Sequence, residues 1–155
     1  MDQIIHVSAP LRCDAGRAFE LFSISELVAA WLVKPYSSSG RAEIEPKIGG
    51  KYELFWDPEN PQRDSTIGCK VTAIEAGKFL SFEWKGPVQF SQFMNDADPL
   101  THVVVFFTPT DSASTEVHLI HSGWRSLPEW EEARKYFEAA WSSAFENLRQ
   151  IVNRA

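Results

Sequence analysis

The spacing of apolar residues divides the chain into an opening segment, a middle part with strand periodicity and a final helix. Alternation of apolar and polar residues from Ile5 predicts a first strand that ends at Pro10. Two short helices are predicted next. Asp14 is placed to cap the first, and Ser23 to Glu26 form a capping-box sequence for a second helix that ends near Trp31. The opening segment is therefore predicted to be a strand followed by two helices.

From Arg41 to Ser122 the apolar residues recur at every second position, which is the period of a β-strand. Six strands are predicted, over residues 42–44, 51–56, 66–74, 79–84, 101–108 and 115–122. Gly77 is expected in a tight turn between two of them. The pair Gly49-Gly50 opens a strand rather than a helix, so it is expected to be a turn and not a phosphate-binding loop.

The last part of the chain has the pattern of one long amphipathic helix. Ser126 to Glu129 have capping-box spacing, and Pro128 is tolerated in a first helical turn. The apolar positions that follow recur at steps of three and four residues, at Trp130, Ala133, Phe137, Trp141, Ala144, Leu148 and Ile151. Such a stripe needs a concave partner, which the strands supply. The predicted fold is α+β, of order β-α-α-β6-α, with residues 1–155 forming a single domain whose curved antiparallel sheet wraps around the C-terminal helix.

Several local motifs occur in a characteristic order along the chain. They are Ile5-x-Val7-x-Ala9-Pro10, Ala18-Phe19, Glu26-Leu27 before Trp31, Ile48 to Tyr52, Phe79 to Trp84, and Thr115 to His121 followed by Ser122-Gly123-Trp124. In this order and spacing they resemble the START-like (SRPBCC) superfamily, and within it the branch named after the activators of the heat-shock protein ninety ATPase. The segment 86–100 departs from that pattern, because it is longer than usual between its two strands.

The resemblance implies the helix-grip (START-like, Bet v-like) fold and two kinds of function. Single-domain relatives are uncharacterised or are thought to bind small hydrophobic molecules. The branch name comes from co-chaperones that stimulate a chaperone ATPase. A fold does not by itself transfer such a function.

Composition and charge disfavour several classes of function. The net charge of −6 argues against a nucleic-acid partner and an anionic membrane. Cys13 and Cys69 are the only cysteines and lack metal-ligand spacing, so we expect neither a metal nor a cofactor. Met1 to Gln3 do not open a signal peptide, and no run approaches the roughly 18 apolar residues of a membrane span. We therefore expect a cytoplasmic protein with reduced thiols.

The predicted interior contains many aromatic side chains, which could either line a cavity or fill it. Ala133, Ala140 and Ala144 are small and should leave space between sheet and helix. A mostly apolar cavity with a few polar groups is the usual form of a ligand site. The residues expected to contact a ligand are Trp31, Tyr52, Leu54, Trp56, Trp84, Phe107, His121, Trp124, Phe137 and Trp141.

His121 is the one histidine that strand alternation places inside. It is either a core histidine satisfied by hydrogen bonds, a polar handle for a ligand, or a general acid or base. Acid–base work needs an orienting partner, and Glu53 and Glu83 fall on the outward face. His121 is therefore the only catalytic candidate, and an enzyme is the less favoured alternative.

Apolar residues in the segment 86–100 are unusual for a loop. Phe90, Phe93 and Met94 should either plug an open end of the domain or form a lid over the cavity, with Trp31 and Trp124 near the same end.

The outer face of the sheet is also predicted to expose apolar side chains on adjacent strands. These are Ile4, Val104, Phe106 and Ile120. A contiguous apolar patch indicates a contact surface, so we expect a homodimer through this face.

Three functions therefore remain open. The first is a protein that binds a small hydrophobic or aromatic molecule between sheet and helix. The second is a cyclase- or hydrolase-type enzyme that uses His121, with Tyr52 or Tyr136 as a further proton donor. The third is an interaction module that stimulates a chaperone ATPase. The sequence does not identify the ligand, because side chains constrain the size and polarity of a bound molecule and not its identity.

Overall fold

A computed structural model describes residues 3–154, and its elements follow the predicted order. The strands are β1 (Ile5–Leu11), β2 (Arg41–Ile44), β3 (Tyr52–Phe55), β4 (Val71–Glu75), β5 (Phe79–Trp84), β6 (Thr101–Asp111) and β7 (Ser114–Ser122). The helices are α1 (Ala15–Ser23), α2 (Ser25–Val28), α3 (Ser91–Met94) and α4 (Pro128–Asn153), with a π-helical turn at Ala29–Val33 and a 3₁₀ turn at Val88–Phe90. One strand, two short helices, six strands and a long helix confirm the predicted helix-grip order.

The strands form one antiparallel sheet of order β1-β7-β6-β5-β4 and a separate ribbon of β2 and β3. Residues 65–70 run beside β3 and connect it to this sheet through isolated bridges at Lys51–Lys70 and Phe55–Ser65. The predicted strand over 66–74 therefore starts late, at Val71. Gly68 explains the delay, because its φ of +88° lies outside the conformation of a strand.

The inner face of the sheet packs on α4 as alternation predicts. Val103, Val105, Phe107, Val117, Leu119 and His121 are all buried. On α4 the buried apolar positions include Trp130, Phe137, Trp141, Ala144 and Leu148, but Ile151 is 45% exposed. In the last turn of α4, Val152 and not the predicted Ile151 packs against the core.

Helix capping matches the prediction at one of three positions. The Asp14 carboxylate accepts from the backbone N–H of Arg17 at 2.8 Å and caps α1. Ser23 is instead the last residue of α1, and its hydroxyl donates back to a carbonyl of its own helix. Ser126 makes no cap either, because α4 starts with Pro128 and its N-cap position has no side-chain hydrogen bond. Both predicted capping boxes are therefore wrong.

Glu53 lies on the face of β3 opposite Tyr52 and Leu54, as alternation predicts. That face is nevertheless covered, because only 8% of the surface of Glu53 is exposed. The adjoining segment 65–70 covers it, and its carboxylate accepts from the N–H of Gly68 at 2.8 Å. A strand face that points away from the core can still be buried when a neighbouring loop covers it.

The outer face of the five-stranded sheet carries the predicted apolar residues. Ile4 and Phe106 are 51% and 41% exposed. Val104 and Ile120 are half-buried and lie opposite each other on β6 and β7. The homodimer expected through this face stays a prediction.

No helix among residues 3–154 is long and apolar enough to cross a membrane. Met1 and Asp2, on which the expectation about a signal peptide depends, lie outside the described residues.

Candidate ligand-binding site

A cleft of about 490 Å³ lies between the C-terminal ends of β3 and β5 and the middle of α4. This volume is within the range of about 300–1,000 Å³ that is typical of small-molecule sites. Four large aromatic side chains form its apolar wall, namely Trp56, Trp84, Phe137 and Trp141. The other lining residues are Leu32, Tyr36, Ser37, Asp64, Ser65, Lys85, Gly86, Pro87, Gln89, Tyr136, Ala140 and Ala144.

Small side chains on α4 account for the open space. Ala140 and Ala144 are four residues apart, which places them on one face of the helix, and both line the cleft. They are two of the three alanines predicted to leave room. The third, Ala133, is buried and does not line the cleft.

Trp84 occupies the centre of the aromatic cluster. Its ring centroid lies 5.0 Å from that of Trp141, 6.2 Å from Trp56 and 6.3 Å from Phe137. Its Nε1 is buried and has no hydrogen-bond acceptor among residues 3–154. A buried donor without a partner costs about 1–3 kcal/mol, so this atom is a candidate for contact with a bound molecule.

Four of the other five indoles donate a hydrogen bond within the protein. Trp31 donates to the carbonyl of Leu21 at 2.8 Å, and Trp56 donates to that of Leu32 at 3.3 Å. Trp124 and Trp141 both donate to His121, the first to its carbonyl at 3.1 Å and the second to its ring Nδ1 at 3.0 Å. The unpartnered N–H of Trp84 is therefore not a general property of the indoles in this interior.

The hydrogen bonds of His121 determine its tautomer. An indole N–H only donates, so Nδ1 must be the unprotonated nitrogen that accepts from Trp141. The proton is then on Nε2, which lies 3.0 Å from the hydroxyl of Thr101. Burial, with a smaller effect of His102, lowers the pKa of His121 to about 3. His121 is held as a neutral imidazole with both nitrogens engaged, and it does not line the cleft.

The remaining histidines lie on the outer face of the sheet. A ring nitrogen of His6 lies 3.0 Å from one of His118, and the two rings stack with centroids 5.2 Å apart. His102 Nε2 lies 2.7 Å from the hydroxyl of Thr72. Within residues 3–154, no group of three or more His, Cys, Asp or Glu side chains is arranged to hold a metal ion.

Two tyrosines stand at the mouth of the cleft. Tyr36 and Tyr136 are 51% and 43% exposed. The hydroxyl of Tyr36 lies 2.7 Å from that of Ser143 and also accepts from the side-chain amide of Asn147 at 3.1 Å, so α4 holds it in place. Burial, followed by the charge of Asp64, raises the pKa of Tyr136. The mouth is therefore polar, whereas the wall is apolar.

Two charged side chains line the cleft beside this mouth. Asp64 has a φ of +48°, in the left-handed region, and its carboxylate accepts from the N–H of Val88 at 2.8 Å. Lys85 donates to the carbonyl of Ile67 at 2.7 Å. These residues come from connections between strands, where residue periodicity gives no signal, so the apolar pattern did not predict them at the site.

Of the ten predicted contact residues, Trp56, Trp84, Phe137 and Trp141 line the cleft. The others lie elsewhere, namely Trp31, Tyr52, Leu54, Phe107, His121 and Trp124. Close packing occupies that part of the interior. Tyr52 is an example of this close packing. Its ring stacks on that of Phe82 with centroids 3.7 Å apart, and its hydroxyl donates to the carbonyl of Phe22 at 2.7 Å. Burial also raises the pKa of Tyr52.

Trp31 and Trp124 contact different turns of α4. The ring of Trp124 lies 5.9 Å from that of Phe137 and 6.4 Å from that of Trp130. The ring of Trp31 lies 6.1 Å from that of Phe145. At a rise of about 1.5 Å per residue, Phe137 and Phe145 are about 12 Å apart along the helix. The placement of both indoles near one end of the domain stays a prediction.

Two of the predicted lid residues, Phe90 and Phe93, pack on α4, and none of the three lines the cleft. Phe90 contacts Tyr136 at 5.3 Å between centroids, and Phe93 contacts Trp130 at 5.1 Å. Met94 is fully buried. The cleft is lined instead by Gly86, Pro87 and Gln89 from the start of the same segment.

The sequence matches one protein family over residues 12–153, described as activator of Hsp90 ATPase homolog 1-like protein. Among solved structures, protein MLL2253 from Mesorhizobium loti has 20% identity and a TM-score of 0.74, covering 99% of this chain and 98% of that chain. PFC0360w, an HSP90 activator from Plasmodium falciparum, has 18% identity and a TM-score of 0.69, covering 96% and 94%. Protein Ms6760 from Mycobacterium smegmatis has 13% identity and a TM-score of 0.72, covering 96% and 90%. No curated protein matches the sequence. At these identities the structures show a shared fold, which confirms the helix-grip architecture.

Proposed function

The chain belongs to the family of activator of Hsp90 ATPase homolog 1-like proteins, and within that family we propose that it is a binding protein for a small apolar or aromatic molecule. The molecule occupies the cleft between β3, β5 and α4. The observation that supports this proposal is the cleft itself, about 490 Å³ of space bounded by Trp56, Trp84, Phe137 and Trp141. Aromatic walls of this kind stabilise flat apolar ligands by burial and by ring contacts.

Catalysis by His121 is not proposed. Both ring nitrogens are engaged by Trp141 and Thr101, the imidazole is neutral, and the residue is outside the cleft. A general acid or base must reach the proton that it transfers.

Filling the cleft from α4 tests the proposed function. Ala140→Phe places a ring in the space that the ligand would occupy. The neighbouring residue Ala139 is exposed and does not line the cleft, so Ala139→Phe is a matched control on the same helix. The probe is N-phenyl-1-naphthylamine, a neutral aromatic dye whose fluorescence rises in apolar surroundings.

The wild-type protein and Ala139→Phe should bind the dye with equal affinity. Ala140→Phe should bind it at least about tenfold more weakly. The reason is that blocking the burial of the dye's rings removes more than about 1.4 kcal/mol of binding free energy. Circular dichroism of both variants checks that the fold is kept. Equal binding by all three proteins would place the dye elsewhere and contradict the proposal.

Stimulation of a chaperone ATPase is a second candidate function. It is favoured by the family description and by the structural neighbour described as an HSP90 activator. The two candidates are separated by one experiment, in which purified Hsp90 is assayed with wild-type protein and with Ala140→Phe. Stimulation that is equal with both proteins would support a chaperone role that does not use the cleft. No stimulation by either would contradict it.

A further inference from the structure

We propose that the ligand of the cleft carries a hydrogen-bond acceptor, of the kind found in an aromatic ketone or quinone, and that this acceptor binds the Nε1–H of Trp84. The inference rests on the proposed function, since it assumes that the cleft is occupied. It adds the polar group that a purely hydrocarbon ligand would lack.

The N–H of Trp84 is the interior donor that the protein leaves unused. It is the one buried side-chain nitrogen or oxygen without a hydrogen-bond partner among residues 3–154. Buried polar groups in folded proteins are nearly always paired, so each exception calls for an explanation. Trp84 also lines the cleft, so a molecule bound there lies against the same indole.

Three other polar groups of the cleft already have partners within the protein. Lys85 donates to Ile67, Asp64 accepts from Val88, and the hydroxyl of Tyr36 is shared with Ser143. An indole N–H donates and cannot accept. The complementary ligand group is therefore an acceptor such as a carbonyl oxygen, and not a hydroxyl or amine acting as a donor.

The surroundings of Trp84 limit the rest of the molecule. The rings of Trp56, Phe137 and Trp141 lie against it and leave room for a flat apolar body. Nε1 is itself closed to solvent. The acceptor reaches it only from a ligand seated deep against the wall, with a local adjustment of the adjoining rings.

Fluorene and fluorenone provide a matched pair of probes, because they have the same ring system and differ by one carbonyl group. Their affinities are measured by titration against the wild-type protein and Trp84→Phe, which keeps an aromatic ring and removes the N–H. The comparison uses the ratio of the two affinities within each protein, so the different hydration of the two probes cancels. The fluorenone-to-fluorene ratio should fall by about tenfold in Trp84→Phe, which is the effect of one buried hydrogen bond.

A second readout needs only the wild-type protein, in case Trp84→Phe folds poorly. The protein has six tryptophans, and nitrogen-15 NMR spectra follow their indole N–H signals. One of them should move downfield with fluorenone and not with fluorene, because a new hydrogen bond deshields the proton. The same signal should be absent from the spectrum of any folded Trp84→Phe.

The outcomes separate this inference from the proposed function. The acceptor would be overturned, and the cleft kept as a binding site, if Ala140→Phe weakens fluorene binding but one of two results is negative. The first is an affinity ratio that is unchanged in Trp84→Phe. The second is the absence of an indole shift that is specific to fluorenone. The proposed function and the acceptor would be overturned together if neither probe binds. The same conclusion would follow if both probes bind and Ala140→Phe weakens neither.

Discussion

The buried imidazole of His121 predicts that the protein loses stability between pH 7 and pH 5. Its pKa is about 3 in the folded protein, because burial disfavours the charged form, against an ordinary value of 6.5. Above pH 6.5 both states hold a neutral imidazole, and the native hydrogen bonds are fully retained. As the pH falls from 6.5 towards 3, His121 becomes protonated in the unfolded chain but stays neutral in the folded protein. The free energy of unfolding therefore decreases.

The size of the effect follows from the two pKa values. Each pH unit within this window changes the free energy of unfolding by about 1.4 kcal/mol. Lowering the pH from 7 to 5 should therefore remove about 2 kcal/mol. Burial also lowers the pKa of His102, in the same direction. That side chain is partly exposed, so solvent screening reduces its contribution.

Urea denaturation at the two pH values measures the loss. His121→Gln removes the titrating group, while its amide is able to accept from Trp141 and donate to Thr101. This variant should lose most of the pH dependence, although it will be less stable at pH 7. A wild-type free energy that is equal at both pH values, or a full loss that persists in His121→Gln, would refute the reasoning.

Three further predictions concern other parts of the molecule. Asp14→Ala removes the cap of α1 and should lower the free energy of unfolding by about 1 kcal/mol in urea denaturation; no change would mean that water replaces the cap. Phe106→Glu places a charge on the outer sheet face and should dissociate the homodimer expected there, as measured by light scattering at micromolar concentration. A wild-type protein that is monomeric in the same measurement would contradict the predicted homodimer. Phe93→Ala removes a ring contact with Trp130 and should speed hydrogen exchange in the 88–94 segment. If this segment is a lid, a ligand should slow its exchange in the wild-type protein, and full protection with and without ligand would count against a lid.

The amino-acid sequence by itself determined the type and order of the elements, because a periodic apolar pattern is a local property of the chain. Alternation in β6 and β7 correctly placed Phe107 and His121 inside, and both are buried. The three- and four-residue spacing correctly identified α4 from Trp130 to Leu148. Small residues at Ala140 and Ala144 pointed to the face of α4 beside which space was left.

Only the tertiary structure decided which part of the interior is filled and which is open. Tyr52 and Trp84 are both inward aromatic residues of strands, yet one is packed and hydrogen-bonded while the other borders a cleft with its N–H unpaired. The distinction depends on side-chain volumes and hydrogen-bond partners from distant segments, such as Phe22 for Tyr52. The burial of Glu53 also depends on another segment. Alternation places Glu53 on the outward face of its strand, and the segment 65–70 covers it there. Periodicity along one element gives the direction of a side chain, but what that side chain meets depends on how the remaining elements pack.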